Sequence, residues 1–208
     1  KKLLAVSELV HGSLDSVELV DADAGKGAFM GPLLMLNGSP FAHEAPHSVE
    51  AFGPVSTIMP YKNEHEAMEL AKKGKGSLVS TIVTANQKTA ANFVYGAGTH
   101  HGRILILNRE CAKESTGHGS PLPNLVHGGP GRAGGGEEMG GVRGVKHYMQ
   151  RVAVQASPTF LTAVTNNYHQ RAETTEEERH PFRKYFEELR IGDTVITGKR
   201  TITEADIV

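Results

Sequence analysis

"PVSTIMPYKNEHEAMELAKKGKGSLVSTIVTANQKTAANFVYGAGTHHGRILILN", residues 54 to 108, carries the clearest periodicity in the chain. It opens with the short β-prone run "PVSTIMPY". Asn63 then caps a helix, "EHEAMELAKKG", with Glu66 in the reciprocal position of a capping box and Ala67, Leu70 and Ala71 along one face. "SLVSTIVT" (77–84) is a second strand rich in β-branched residues, "NQKTAANFVYGAG" a second helix ended by Gly96 and Gly98, and "GRILILN" a third strand. The order βαβαβ implies an α/β protein with a parallel sheet and right-handed crossovers. Ligands on such sheets are expected beyond the carboxyl ends of the strands, and the loop after Asn108 leaves from that edge.

At 208 residues, 38% apolar and 22% charged, the chain has enough apolar content for one or two soluble globular domains. Its 22 basic residues are balanced by 23 acidic ones, for a net charge of -1, so no nucleic-acid partner is expected. One cysteine forbids an internal disulfide, and the eleven histidines show no zinc-type spacing with it. No metal is expected, and a reducing cytoplasm is the expected compartment. No apolar run approaches the roughly 18 residues of a membrane span, and "KKLLAVSELVHG" lacks the core of a signal peptide, so neither membrane nor export is expected. The chain opens on Lys1 and stops at "TITEADIV", where Thr203 stands as the cap of a helix cut after one turn; the expectation is a piece of a longer polypeptide.

The cysteine and a dense run of glycines share "ILNRECAKESTGHGSPLPNLVHGGPGRAGGGEEMGG" (106–141). "GPGRAG", Gly129 to Gly134, matches the dinucleotide pattern G-x-G-x-x-G, whose mechanism needs a strand entering and a helix opening at the glycines. Here only Leu125 and Val126 precede it, Pro130 lacks an amide donor, and Met149, Gln150 and Arg151 stand where an acid should hold a ribose. A pyrophosphate cradle is therefore not expected. Gly134 to Gly136 read as a flexible approach to a helix starting near Glu137, with Met139, Val142, Val145 and Met149 on one stripe. "RVAVQA" (151–156) alternates as a strand and reads equally as an edge for pairing with another subunit. A catalytic thiolate needs a base or a helix N-terminus beside it. His100, His101, His118 and His127 are near Cys111 in sequence alone, and a lone loop cysteine is more often incidental.

Five stretches occur in one order: "GPLLML", "SVEAFGPVSTIMPY", "GSLVSTIVT", "HGRILILN" and "HGGPGRAGGGEEMGG". Together they resemble the aldehyde dehydrogenase superfamily, the second carrying its E-x-F-G-P-V segment. Further, "ECAKESTGHGSPLPNLVHGGPGRAGGGEE" followed by "HPFRKYFEELRIGDTVITGKRTITEADIV" is similar to the bifunctional proteins of bacterial phenylacetate degradation. In those an aldehyde dehydrogenase is fused to a MaoC-like, hot-dog enoyl-CoA hydratase that opens the oxepin-CoA ring. The resemblance covers essentially the whole chain. It implies the parallel-sheet catalytic-domain portion of an aldehyde dehydrogenase over residues 1–158, a linker over 159–180, and the first elements of a hot-dog domain over 181–208. The polar "NNYHQRAETTEEERHP" has a linker's composition, and its run from Glu176 to Arg179 reads equally as a solvated helix face.

In that family the nucleophilic cysteine, the general-base glutamate and most of the dinucleotide-binding domain lie before the stretch matching Lys1, and the hydratase's Asp/His pair lies after Val208. The resemblance thus implies no catalytic residue in this segment and no activity of the segment alone. It implies NADP or NAD as cofactor, with Glu50 accepting hydrogen bonds from the nicotinamide-ribose hydroxyls, Phe52 backing the nicotinamide, and Gly53 and Pro54 shaping the turn into the strand. Cys111 falls where the family does not place its nucleophile. Its loop is implied as a wall of the aldehyde tunnel, with His127 and Gly128 as tunnel residues. His127 stands where many members carry Phe, and a CoA-bearing semialdehyde would account for a more polar lining. The implied partners are a CoA-linked semialdehyde and oxepin-CoA in the full-length protein, and the expected assembly is a homo-oligomer. Two other readings stand beside this one. One is a catalytically inactive interaction module of aldehyde dehydrogenase descent that uses "RVAVQA" for assembly. The other, a free-standing CoA-binding module, would rest on residues 181–208, too short for a hot-dog core.

Overall fold

The computed structural model describes residues 1–114, 117, 128–135, 141–149 and 151–173. His127, residues 174–180 of the linker and the hot-dog segment 181–208 lie outside the described residues. Strand β1 spans Glu8–His11, β2 Leu33–Leu36 and β3 Val55–Ile58, with the short helix α1 at Ala45–Ser48. Then come α2 at Glu64–Lys72, β4 at Ser77–Val83, α3 at Gln87–Ala97 and β5 at His101–Leu107. Helix α4 at Gly141–His147, strand β6 at Ala153–Gln155 and helix α5 at Pro158–Thr165 complete the order.

Local chemistry sets the helix starts as the sequence predicts. The Asn63 side chain accepts from the Glu66 amide at 3.0 Å, and the Glu66 carboxylate accepts from the Lys62 amide at 2.8 Å, so the box closes one residue before the cap. Asn86 caps α3 by accepting from the Thr89 amide at 3.1 Å. Helix α3 then buries Ala90, Phe93, Val94 and Ala97, the i, i+3, i+4, i+7 stripe of an amphipathic helix. Gly96 allows α2 to close on α3: a Cβ there would lie 2.5 Å from the Met68 sulfur.

The order β3-α2-β4-α3-β5 is the predicted one, but the three strands do not share a sheet, which corrects the single-sheet expectation. β3 runs parallel to β2, with Leu33 opposite Val55 and Leu36 opposite Ile58, while β1 pairs antiparallel on the other side of β2. The second sheet is all parallel, in the order β4-β5-β6. Helix α2 therefore connects two sheets rather than neighbouring strands of one. β5 lies between two strands, and its continuous "ILIL" run is buried at Ile104, Leu105 and Ile106, as expected for a strand covered on both faces. Ile104 and Ile106 meet the α3 stripe and Phe160 and Val164 of α5 in one core.

Two sequence expectations change here. Residues 159–165, assigned to the linker, belong to α5 and put Phe160 and Val164 into that core; Tyr95 of α3 also donates a hydrogen bond to the Val164 carbonyl. The described part of the glycine-led helix is α4, and its Val142 and Val145, with Met149 just beyond, are exposed rather than packed. Strand β6 takes the edge of the parallel sheet. Among the described residues no helix is long and apolar enough to cross a membrane.

Candidate cofactor and tunnel site

The segment bearing Glu50 and Phe52 emerges from α1. That four-residue helix is pinned by His47, whose buried imidazole Nε2 donates to the Pro40 carbonyl at 2.7 Å, and the Val49 amide bonds the Ala45 carbonyl at 3.0 Å. At the far end of the segment the Val55 amide donates to the Gly53 carbonyl and the Leu33 amide to the Pro54 carbonyl, both at 2.8 Å. Gly53 and Pro54 thus form the turn into β3, tied to the first residue of β2. Between these two anchors Glu50 is exposed and Phe52 is 95% exposed, beside the partly exposed Met30, whose sulfur lies 3.7 Å from where a Gly53 Cβ would sit.

The glycine loop reaches the same region from the other sheet. Gly128 and Gly135 form an antiparallel bridge, and the Gly129 amide donates to the Gly134 carbonyl at 2.9 Å. Within the loop the Ala133 amide bonds Pro130, the Gly134 amide bonds Gly131, and the Arg132 amide bonds the Lys75 carbonyl at 3.1 Å. With these amides engaged and Pro130 lacking one, the loop has few donors left for a pyrophosphate. The loop lies against backbone instead. A Cβ on Gly102 would sit 1.9 Å from the Gly128 oxygen, one on Gly129 2.6 Å from the Ser77 oxygen, and one on Gly131 2.3 Å from the Lys75 oxygen.

These contacts fall at the amino ends of β4 and β5, and Glu50 and Phe52 precede the amino end of β3. The expectation of a ligand site at the carboxyl edge is thus not met by the residues assigned to it. The described part of the glycine loop, residues 128–135, lies at the amino edge. The two groups are joined by a bond that sequence reasoning missed: Arg132 Nη1 donates to the Ser48 carbonyl at 3.1 Å. Arg132 had counted only as a filler position of the glycine pattern.

Cys111 stays at the opposite, carboxyl edge. It is half-buried just after β5, its amide bonded to Asn108 Oδ1 at 3.2 Å and its thiol directed at the Ile106 carbonyl at 3.5 Å. No hydrogen bond from a histidine reaches it among the described residues. His101 is 3% exposed, and neither ring nitrogen has a hydrogen-bond partner among the described residues; its ring stacks on Phe93 with centroids 6.2 Å apart. Burial, and then the neighbouring charge of His100, hold its imidazole below its ordinary value. No group of three or more metal-ligating side chains occurs among the described residues.

The exposed Glu50-x-Phe52 segment thus runs into the parallel β2–β3 pair, and the glycine loop is bonded back to it through Arg132. Residues 6–154 match the model of the Aldehyde dehydrogenase family, and the chain belongs to that family, which implies a nicotinamide cofactor. The chain is 52% identical to Protein MaoC of Klebsiella aerogenes over 205 residues, covering 98% of this chain and 61% of that protein. It is 36% identical to the 3,4-dehydroadipyl-CoA semialdehyde dehydrogenase of Aromatoleum evansii over 129 residues, covering 62% of this chain and 25% of that one. The chain therefore spans less than two thirds of the length of either relative.

Proposed function

We infer that this chain is the cofactor-orienting and tunnel-lining portion of an NADP- or NAD-dependent enzyme that oxidises a CoA-linked semialdehyde to its acid. On this reading the same polypeptide carries a MaoC-like hydratase that opens oxepin-CoA, and the dehydrogenase portion extends through α5. The name of the Aromatoleum evansii relative, a CoA semialdehyde dehydrogenase, supports the substrate class, and that of Protein MaoC supports the MaoC-like relation. The observation that carries the reading is Phe52, an aromatic ring 95% exposed on a turn bonded at both Gly53 and Pro54, two residues from an exposed carboxylate.

A flat apolar ring held in water on a fixed turn is stabilised when a planar group covers it. The nicotinamide cofactor, when bound, supplies the hydride acceptor. Phe52 gives that ring one face to rest on, and the Glu50 carboxylate accepts from ribose hydroxyls, which restricts rotation about the sugar. On this reading the glycine loop at Gly128, bonded through Arg132 to the Ser48 carbonyl, forms the tunnel wall. None of these groups attacks the aldehyde, so the segment alone should turn over neither substrate.

The test is Glu50→Gln in the full-length enzyme. Losing a charge-assisted acceptor worth about 1.5–3 kcal/mol should lower dehydrogenation at subsaturating cofactor by roughly 10- to 100-fold, with hydration of the enoyl-CoA unchanged. Unaltered dehydrogenation would count against the assignment. The exposed apolar side chains of α4 and the edge position of β6 favour a second reading, an inactive assembly module; a full-length polypeptide that assembles but binds no nicotinamide nucleotide would put it first.

A further inference from the structure

We propose that Arg132 is a positioning residue that locks the tunnel wall to the cofactor segment, so that the nicotinamide and aldehyde sites are held as one unit. The inference rests on the function proposed above. Three backbone segments meet at Arg132. The turn after α2 places Lys75 in the left-handed region (φ 58°) and Gly76 at φ 127°, which presents the Lys75 carbonyl outward. Gly131, at φ 52°, lets the glycine loop approach that carbonyl so closely that no Cβ fits, and a Cβ on Gly76 would sit 2.1 Å from the Pro130 oxygen.

With its amide held on Lys75 at 3.1 Å, Arg132 has a fixed base, and its guanidinium reaches Ser48 at 3.1 Å across 84 residues of sequence. The Ser48 carbonyl is one of those left without an intrahelical partner at the end of α1, and a cationic donor is its natural cap. Ser48 stands two residues before Glu50, within about 7 Å of it even on fully extended backbone, so the bond fixes the origin from which the Glu50 carboxylate reaches the ribose. A second tie between the same regions, Lys75 to Glu44, is longer at 4.0 Å and lies between exposed side chains, so it is weak. Arg132 is thus the direct side-chain bond from the glycine loop to the Glu50 segment among the described residues.

The experiment uses the full-length enzyme and titrates NADP+ and NAD+ by calorimetry, so that binding is read without turnover. Arg132→Met should raise the Kd of the preferred nucleotide about three- to fivefold, the effect of one solvent-exposed charged hydrogen bond. Arg132→Lys, which keeps a cationic donor, should recover most of that loss. In a Glu50→Gln background Arg132→Met should change Kd by less than about twofold, because Arg132 acts through Glu50. With hexanal as probe aldehyde, KM should rise along with the cofactor Kd in Arg132→Met, since the wall and the cofactor segment loosen together.

A cofactor Kd unchanged in Arg132→Met, or a loss of equal size with and without Glu50, would overturn the coupling while leaving the proposed function standing. A drop in thermal stability with unchanged Kd would do the same, by showing a role in stability alone. If the parent enzyme binds neither nucleotide, the proposed function and this inference fall together.

Discussion

Gly102→Ala is the sharpest probe of how the glycine loop is seated. The new Cβ would lie 1.9 Å from the Gly128 oxygen and 2.9 Å from the Leu78 oxygen. Both neighbours are backbone, and Leu78 belongs to β4, which is bonded to β5 along its length from Ser77 to Val83, so the glycine loop must yield. Bringing 1.9 Å to an ordinary contact of 3.4 Å requires a displacement of about 1.5 Å. A shift of that size pulls the loop off its seat and puts two bonds at risk, Gly129 to Gly134 at 2.9 Å and Arg132 to Lys75 at 3.1 Å. At about 1 kcal/mol each these amount to about 2 kcal/mol, and residual overpacking adds about 1 kcal/mol. Against this, alanine is favoured over glycine within a strand by about 0.5–1 kcal/mol. The net expectation is a loss of about 2 kcal/mol, a lowering of the urea midpoint by about 1 M for a slope near 2 kcal/mol/M. Gly38→Ala is the internal control: nothing lies within 4 Å of a Cβ there, and its effect should stay within about 0.5 kcal/mol. A Gly102→Ala midpoint equal to that of the parent or of Gly38→Ala would refute the seating of the loop on β5.

Two further outcomes are expected. Burial, and then the charge of His100, put the folded value of His101 below the 6.5 of the free group, so the unfolded chain binds the proton first and stability should fall as pH drops through 6.5. His101→Leu should flatten that fall between about pH 7.5 and 5.5 in denaturant titrations, and equal losses in both proteins would contradict the burial argument. Cys111→Ser keeps a donor toward the Ile106 carbonyl and sits at the edge opposite Glu50, so the burst of reduced nucleotide in the full-length enzyme should be unaffected. Disappearance of the burst would make Cys111 a nucleophile after all.

The candidate site was readable in part. Glu50, Phe52 and the Gly53–Pro54 turn belong to a contiguous segment whose letters carry the family resemblance. Arg132 left no such trace, because its partner is a backbone carbonyl far away in sequence, and a carbonyl has no residue type to read. The apolar stripe of α4 shows the converse. Val142, Val145 and Met149 have the spacing of a packed face, and only the folded structure shows those side chains exposed.

Sequence by itself determined the order of strands and helices between residues 54 and 108, the cap at Asn63, and the family. These depend on forces acting within a turn or two of chain: side-chain oxygens reaching nearby amides, and apolar residues recurring at the period of a helix or strand. Which strand joins which sheet was decided only by tertiary structure. β3 pairs with β2, not β4, and the glycine loop runs to the amino edge, because hydrogen-bond ladders and backbone close packing are satisfied between distant segments. The residues that permit those contacts, Gly76, Gly102, Gly129 and Gly131, reveal in sequence only that they lack a side chain. What fills the space they leave is known only once the chain is folded.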